Sequence, residues 1–258
     1  GTVTGYSGNI TVTGTANLSQ FKAIDGFNSG GGTLTGNIND TAANLLTVLT
    51  NESTSTYRAY LEQADNIQIT NYTGQDLTSL SNVTGATPTF ELLADSNLTF
   101  THAQAEQLNS IDKITITQNG VALSFDGQSF TTGTSSTHFG SLSEVKASDA
   151  FASATVAITD DSNASGGSID LKPINNVTNI TSFSIAGDSG ANVIQLSSAL
   201  TQSGVASVDL VADSAVDKLI LNADTSTFVN TGTLSYTSIS NFDTSEDDLG
   251  VFYNSDTV

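Results

Sequence analysis

A chain of 258 residues with 26 carboxylates against six basic side chains carries a formal net charge of −20, and it contains no Cys, Met or Trp. No Lys/Arg cluster is present to neutralise phosphate or anionic headgroups, so neither nucleic acid nor membrane insertion is expected, and cysteine chemistry is excluded outright. Only 12% of residues are charged, yet Leu, Ile, Val and Phe are frequent enough for a core, so the chain is expected to fold and to attract divalent cations.

The first half reads as related units. ITVTGTANLSQFKAID at 10–25 aligns with LTFTHAQAEQLNSID at 98–112 across a single gap, and further units start at Leu34 (LTGNINDTAANLLTVL) and Ile67 (IQITNYTGQDLTSLSN). Each opens with alternation of apolar residues and Thr, the pattern of a half-buried strand. Each continues with apolar residues at i, i+3 and i+4, which predicts one or two helical turns. Starts separated by 24 to 33 residues fall in the range of repeat arrays, where a unit buries its apolar face only against a neighbour. Asp40 or Thr41 is placed to cap a helix over AANLL, and the longest helix candidate spans 54–63, with Tyr57, Arg58 and Tyr60.

Residues 127–141 (GQSFTTGTSSTHFGS) are rich in Gly, Ser and Thr and predict a loop or boundary. Beyond it, strands are predicted at 154–158, 168–171, 182–185, 193–196, 207–211, 218–221 and 234–239, with little helical periodicity. The expected division is therefore 1–130, degenerate strand and short-helix repeats; 131–150, a loop or boundary; and 151–258, all-β. The fold class expected is mainly β, an elongated β-solenoid-like array with short helices in the N-terminal half and a β-roll- or β-helix-like C-terminal half.

The segments GDSGANVI at 187–194 and ADSAVDKL at 212–219 match each other, and both resemble the G-G-x-G-x-D-x-U-x nonapeptide of RTX proteins. Asn192 and Asp217 stand at that family's aspartate position, Ile194 and Leu219 at its apolar one. Asp188 replaces the second glycine of the first copy, and the second copy lacks the glycines. LSYTSISNFDTSEDDL at 234–249 is similar to the closing strand and acidic turn of many RTX arrays and bacterial surface-layer proteins exported by a C-terminal signal. The N-terminal DTAANL segment more loosely resembles repeats of bacterial adhesins. The resemblance implies Ca²⁺ held between stacked turns by aspartates and carbonyls, and export without a cleaved leader.

Hard cations take 6 to 8 oxygen ligands, and the carboxylate clusters offering them are Asp160 with Asp161, Asp188 to Asn192, Asp213 with Asp217, and Asp243 with Glu246, Asp247 and Asp248. Solvated turns are the competing reading, because Asp, Asn and Ser dominate turns for local hydrogen-bonding reasons. Thr-x-Thr pairs such as Thr11/Thr13 are read as solvent-face β residues. His102 and His138 have no partner pattern, and G-x-S-x-G, P-loop and H-E-x-x-H motifs are missing, so no enzymatic activity is expected.

These readings lead to a structural, self-assembling extracellular or cell-surface protein, a surface-layer or filament subunit whose partners are its own copies and whose acidic surface is bridged by divalent cations. Two alternatives remain at this point: a bacteriophage virion or decoration component, and an adhesin module binding a cell-surface glycan.

Overall fold

The computed structural model describes residues 7–28, 32–51, 56–83, 88–130, 139, 141–160, 167–223 and 237–253. The Thr-apolar run at the start forms β1 (Ile10–Ala16) and passes through Asn17 into α1 (Leu18–Asp25). Asn17 accepts from the Gln20 N–H at 2.8 Å and the Gln20 side chain accepts from the Asn17 N–H at 2.9 Å, a reciprocal cap that starts the helix. There follow β2 (Leu34–Thr41), α2 (Ala42–Asn51), α3 (Thr56–Gln63), β3 (Ala64–Thr70), β4 (Thr89–Ala94) and β5 (Leu98–Phe100). A reciprocal cap of the same kind, with Thr101 in place of Asn and Gln104 as its partner, opens α4 (His102–Glu106).

Next come β6 (Lys113–Ile116), β7 (Val121–Asp126), β8 (Glu144–Ala147), β9 (Ala154–Thr159), β10 (Ser168–Leu171), β11 (Asn176–Thr178), β12 (Ser182–Ala186) and β13 (Val193–Leu196). Ser197 caps α5 (Ser198–Gln202), and β14 (Ala206–Asp209), β15 (Lys218–Ala223), β16 (Ser238–Ser240) and β17 (Asp248–Tyr253) follow; 3-10 turns at Thr78–Asn82 and Gly127–Phe130 complete the described elements.

All strand pairs are parallel, in three sheets: seven strands ordered β1-β2-β3-β4-β6-β8-β11, six ordered β16-β14-β12-β9-β7-β5, and four ordered β10-β13-β15-β17. Register puts like residues on like. Ile69, Leu92, Ile114, Val145 and Val177 form one row of the first sheet, Phe100, Phe125, Ile158, Ile185, Val208 and Ile239 one row of the second, and Ile169, Ile194, Leu219 and Leu249 one row of the third. Such rows make one continuous core, because each strand buries its apolar face against the strand before and after it. Where the sheets need filling, aromatic rings do it: Phe100 stacks on Tyr72 and Phe125 with centroids 5.9 and 4.9 Å apart, and Phe139 meets Phe100 edge-on.

The expected mainly β, elongated β-solenoid-like array is corrected by this architecture, which is α/β: three parallel sheets together with five α-helices among the described residues. Helices α2 and α3 are full structural members, since Leu45 and Leu61 are completely buried and Tyr60 nearly so. The C-terminal half is not all-β either. Ser197 accepts from the Leu200 N–H at 3.2 Å, and that cap turns SALTQ into a helix that buries Leu200.

Candidate functional site

The residues singled out by charge and by the repeat resemblance converge on the turns that lead into β13, β15 and β17. Because Val193, Lys218 and Asp248 are paired in register, the residues immediately before them, Asn192, Asp217 and Asp247, stack on one another. The Asp217 carboxylate accepts from the Asn192 backbone N–H at 2.7 Å and from its side-chain amide at 3.0 Å. Asp247 repeats the arrangement one strand further on, its Oδ1 accepting from the Asp217 N–H at 3.0 Å while Oδ2 takes the Asp243 N–H at 2.7 Å. The turn carbonyls complete the ladder, with the Asn192 amide also donating to the carbonyls of Asp188 (3.0 Å) and Gly190 (2.6 Å). Gly187 is required there: a Cβ would lie 2.7 Å from the Asn192 amide nitrogen.

Asn192 and Asp217 are each only 1% exposed. Burial pushes the Asp217 carboxyl above its ordinary range; the hydrogen bonds from Asn192 oppose this, and the charges of Asp247 and Asp213 add to it. Asp243 behaves oppositely, held low by the hydroxyl and N–H of Ser245. Asp213, Asp243 and Asp247 face one cavity of about 420 Å³, together with Asn241 and the backbone corner at Val211.

Other expected site residues lie elsewhere or serve the turns. Asp188 Oδ1 accepts from the Gly190 N–H at 2.8 Å, while its Oδ2 is buried without a hydrogen-bond donor. Asp213 closes its own turn through the Ala215 N–H at 2.6 Å, and the Asp248 N–H donates to the Asp217 carbonyl at 2.8 Å. Asp160 is buried at the end of β9 beside Gly167, on the preceding turn; Asp161 lies outside the described residues, as does His138. His102 starts α4 with Nε2 3.8 Å from Glu106. Among the described residues no group of three or more His, Cys, Asp or Glu side chains converges to hold one ion; within the turns Asp247 uses both of its oxygens as acceptors and Asp217 uses Oδ1.

Four of the six basic residues form ion pairs within the chain. Lys113 and Lys146 bracket Glu144 at 3.5 and 2.6 Å, Lys172 meets Asp170 at 3.4 Å, and Arg58 meets Glu62 at 3.0 Å and the Asn82 carbonyl. A second cavity, of about 410 Å³, lies among α1, α2 and α3 with Tyr57 in its lining. Sequence patterning misses it because its residues, from Leu18 to Tyr57, come from four elements; the Tyr57–Tyr60 pair on the helix candidate is the one available signal. Comparison of the chain with protein-family models, with curated proteins and with solved structures gives no match.

Proposed function

We propose that the protein is a structural, self-assembling extracellular subunit whose open sheet edge docks on another copy once calcium neutralises the acidic turns beside that edge. The observation that carries this reading is the state of β17, the last strand of its sheet among the described residues. Leu249 and Val251 continue the rows of Leu219 and Leu221, yet they are 48% and 55% exposed where Leu219 is fully buried. An edge of this kind presents unpaired backbone groups and core-type side chains together, which is a template for a further strand. Covering the two side chains contributes roughly 1 kcal/mol each, half of a full burial.

Among the described residues β1 is likewise the edge of its own, seven-stranded sheet, with Ile10 and Val12 half-buried and Phe27 58% exposed. Two unlike apolar edges favour head-to-tail growth into a filament or lattice. The opposing term is charge, since Asp243, Glu246, Asp247 and Asp248 crowd the β17 edge on a chain of net charge −20. Divalent cations relieve that repulsion through oxygen ligands, so assembly is favoured where calcium is abundant, outside the cell. The similarity of 187–194, 212–219 and 234–249 to RTX and surface-layer sequences supports the same setting.

Light scattering and electron microscopy on the whole chain test this. Millimolar calcium should produce ordered particles that EDTA disperses, and Leu249→Lys with Val251→Lys should remain monomeric in calcium with an unchanged circular dichroism spectrum. A wild-type chain that stays monomeric in calcium, or a double variant that assembles normally, would end the proposal.

A further inference from the structure

We propose that the helical layer carries a second, independent site, a pocket for one neutral hexose unit of a glycan. The cavity of about 410 Å³ is formed by the start of α1, the end of β2, α2 and α3. Its size suits a single sugar ring, and its lining mixes apolar surface with a few hydrogen-bonding groups, the usual make-up of a small-molecule site. Leu18, Val48 and the Tyr57 ring supply apolar surface; Ser19, Asn44 and Thr47 supply neutral polar atoms.

The wall that matters most is held in place before any ligand arrives. The Lys22 ammonium sits 5.0 Å from the Tyr57 ring centroid, and Tyr60 packs against Tyr57 edge-on at 6.3 Å. Tyr60 is itself tethered, its hydroxyl donating to Asp25 at 2.8 Å. Lys22 covers one face of the ring, and it is the opposite face that would match the C–H face of a pyranose, which is the apolar side of an otherwise hydroxylated ring.

Charge decides the ligand class. The one carboxylate in the lining, Asp40, is buried and already accepts three hydrogen bonds, from the Thr41 N–H (2.8 Å), the Asn44 amide (2.7 Å) and the Leu18 N–H (3.1 Å). It therefore orients Asn44 and does not need a cationic ligand, while Asp40 and Asp25 together outnumber the Lys22 ammonium around the pocket and turn away phosphates and carboxylated sugars. Asn44, whose amide nitrogen is held by Asp40, brings an amide oxygen able to accept, and the Thr47 hydroxyl, which donates to the Ala43 carbonyl at 2.9 Å, keeps its lone pairs. These groups pair with hydroxyls.

The test uses saturation-transfer NMR and tyrosine fluorescence on the whole chain, titrated separately with glucose, galactose, mannose, N-acetylglucosamine and sialic acid. At least one neutral sugar should bind with a Kd of about 1 mM, typical for one small ring, and sialic acid should not. Thr47→Arg, at an exposed position of α2, fills the mouth and should weaken binding more than about tenfold at unchanged Tm. Tyr57→Ala should abolish binding and Tyr57→Phe should keep it. Failure of all four neutral sugars, equal binding of sialic acid, or binding that survives both Thr47→Arg and Tyr57→Ala overturns the site. None of these outcomes depends on calcium-driven assembly.

Discussion

Asp217 is the residue at which the chain's acidity costs the fold most visibly. It is buried, and it stands between Asp213 and Asp247, the two charges that help raise its carboxyl group above the ordinary range after burial itself. What it gives in return is geometric, since one of its oxygens accepts both Asn192 donors. An amide oxygen can accept the same two hydrogen bonds without the charge, and ladders of stacked amides are stabilising in parallel sheets. Asp217→Asn is therefore expected to stabilise the calcium-free protein at pH 7 by on the order of 1 kcal/mol, with the gain shrinking as acidification protonates the wild-type carboxyl. The sign follows from the raised value: the native protein binds the proton more tightly than the unfolded chain, so the charged wild type is the less stable form above that value. Urea melts at two pH values check this. A variant less stable than wild type at pH 7 would mean that the Asp217 charge is itself needed.

At the scale of elements, the strands were the legible part, with the one cap expected ahead of α2, where the Thr41 hydroxyl accepts from the Asn44 N–H at 3.2 Å. The runs predicted at 168–171 and 193–196 are β10 and β13, and the helix candidate at 54–63 is α3 (Thr56–Gln63), because alternation and i, i+4 spacing report directly which side of a segment is buried. Repeat similarity placed Asn192 and Asp217 at equivalent positions, and they lie in contact in the turns immediately before the paired strands β13 and β15. Hidden from the sequence was how segments combine: alternation looks the same whichever sheet a strand joins, and a five-residue helix such as α5 leaves almost no periodic trace. Corners were hidden too. Among the described residues four non-glycine positions take the left-handed conformation; three are asparagines, Asn71, Asn179 and Asn241, and the fourth is Val211, with φ 59°. A β-branched residue there is strained by about 1–2 kcal/mol, tolerated because the Asp209 carboxylate accepts from the Val211 N–H at 3.1 Å. Val211→Asn should therefore raise stability by about 1 kcal/mol, read as a higher urea midpoint at unchanged slope. A neutral or lower midpoint would show that the valine side chain, at the wall of the acidic cavity, contributes packing that outweighs its strain.

For the whole molecule, stability and assembly are linked through the balance of two sets of carboxylates. Asp112 and Asp217 lie above their ordinary range: burial dominates in both, against a Phe90 N–H bond and Lys113 for Asp112 and against Asn192 for Asp217. Glu91 lies below it. Burial pushes Glu91 up, but hydrogen bonds from Thr115, Gln68 and Asn66 and the charge of Lys146 outweigh that push. Asp209, bonded by the Asn241 amide at 2.6 Å, is low as well. Lowering the pH from 7 first protonates the raised pair, which removes buried charge and part of the self-repulsion of a chain with net charge −20, so stability rises. Further acidification through the values of Glu91 and Asp209 removes stability that is present only while they are ionised. Thermal melts should therefore peak on the acid side of neutrality, and stability should fall again once Glu91 and Asp209 are protonated. Scattering measured in EDTA over the same range adds the functional half. If calcium acts at the β17 edge by cancelling charge, protons will substitute for it, and particles will form as the pH nears the isoelectric point of about 4.1. A chain that is fully folded there yet remains dispersed in EDTA, while assembling in calcium at pH 7, would show that the ion bridges copies through specific ligands instead of merely discharging them.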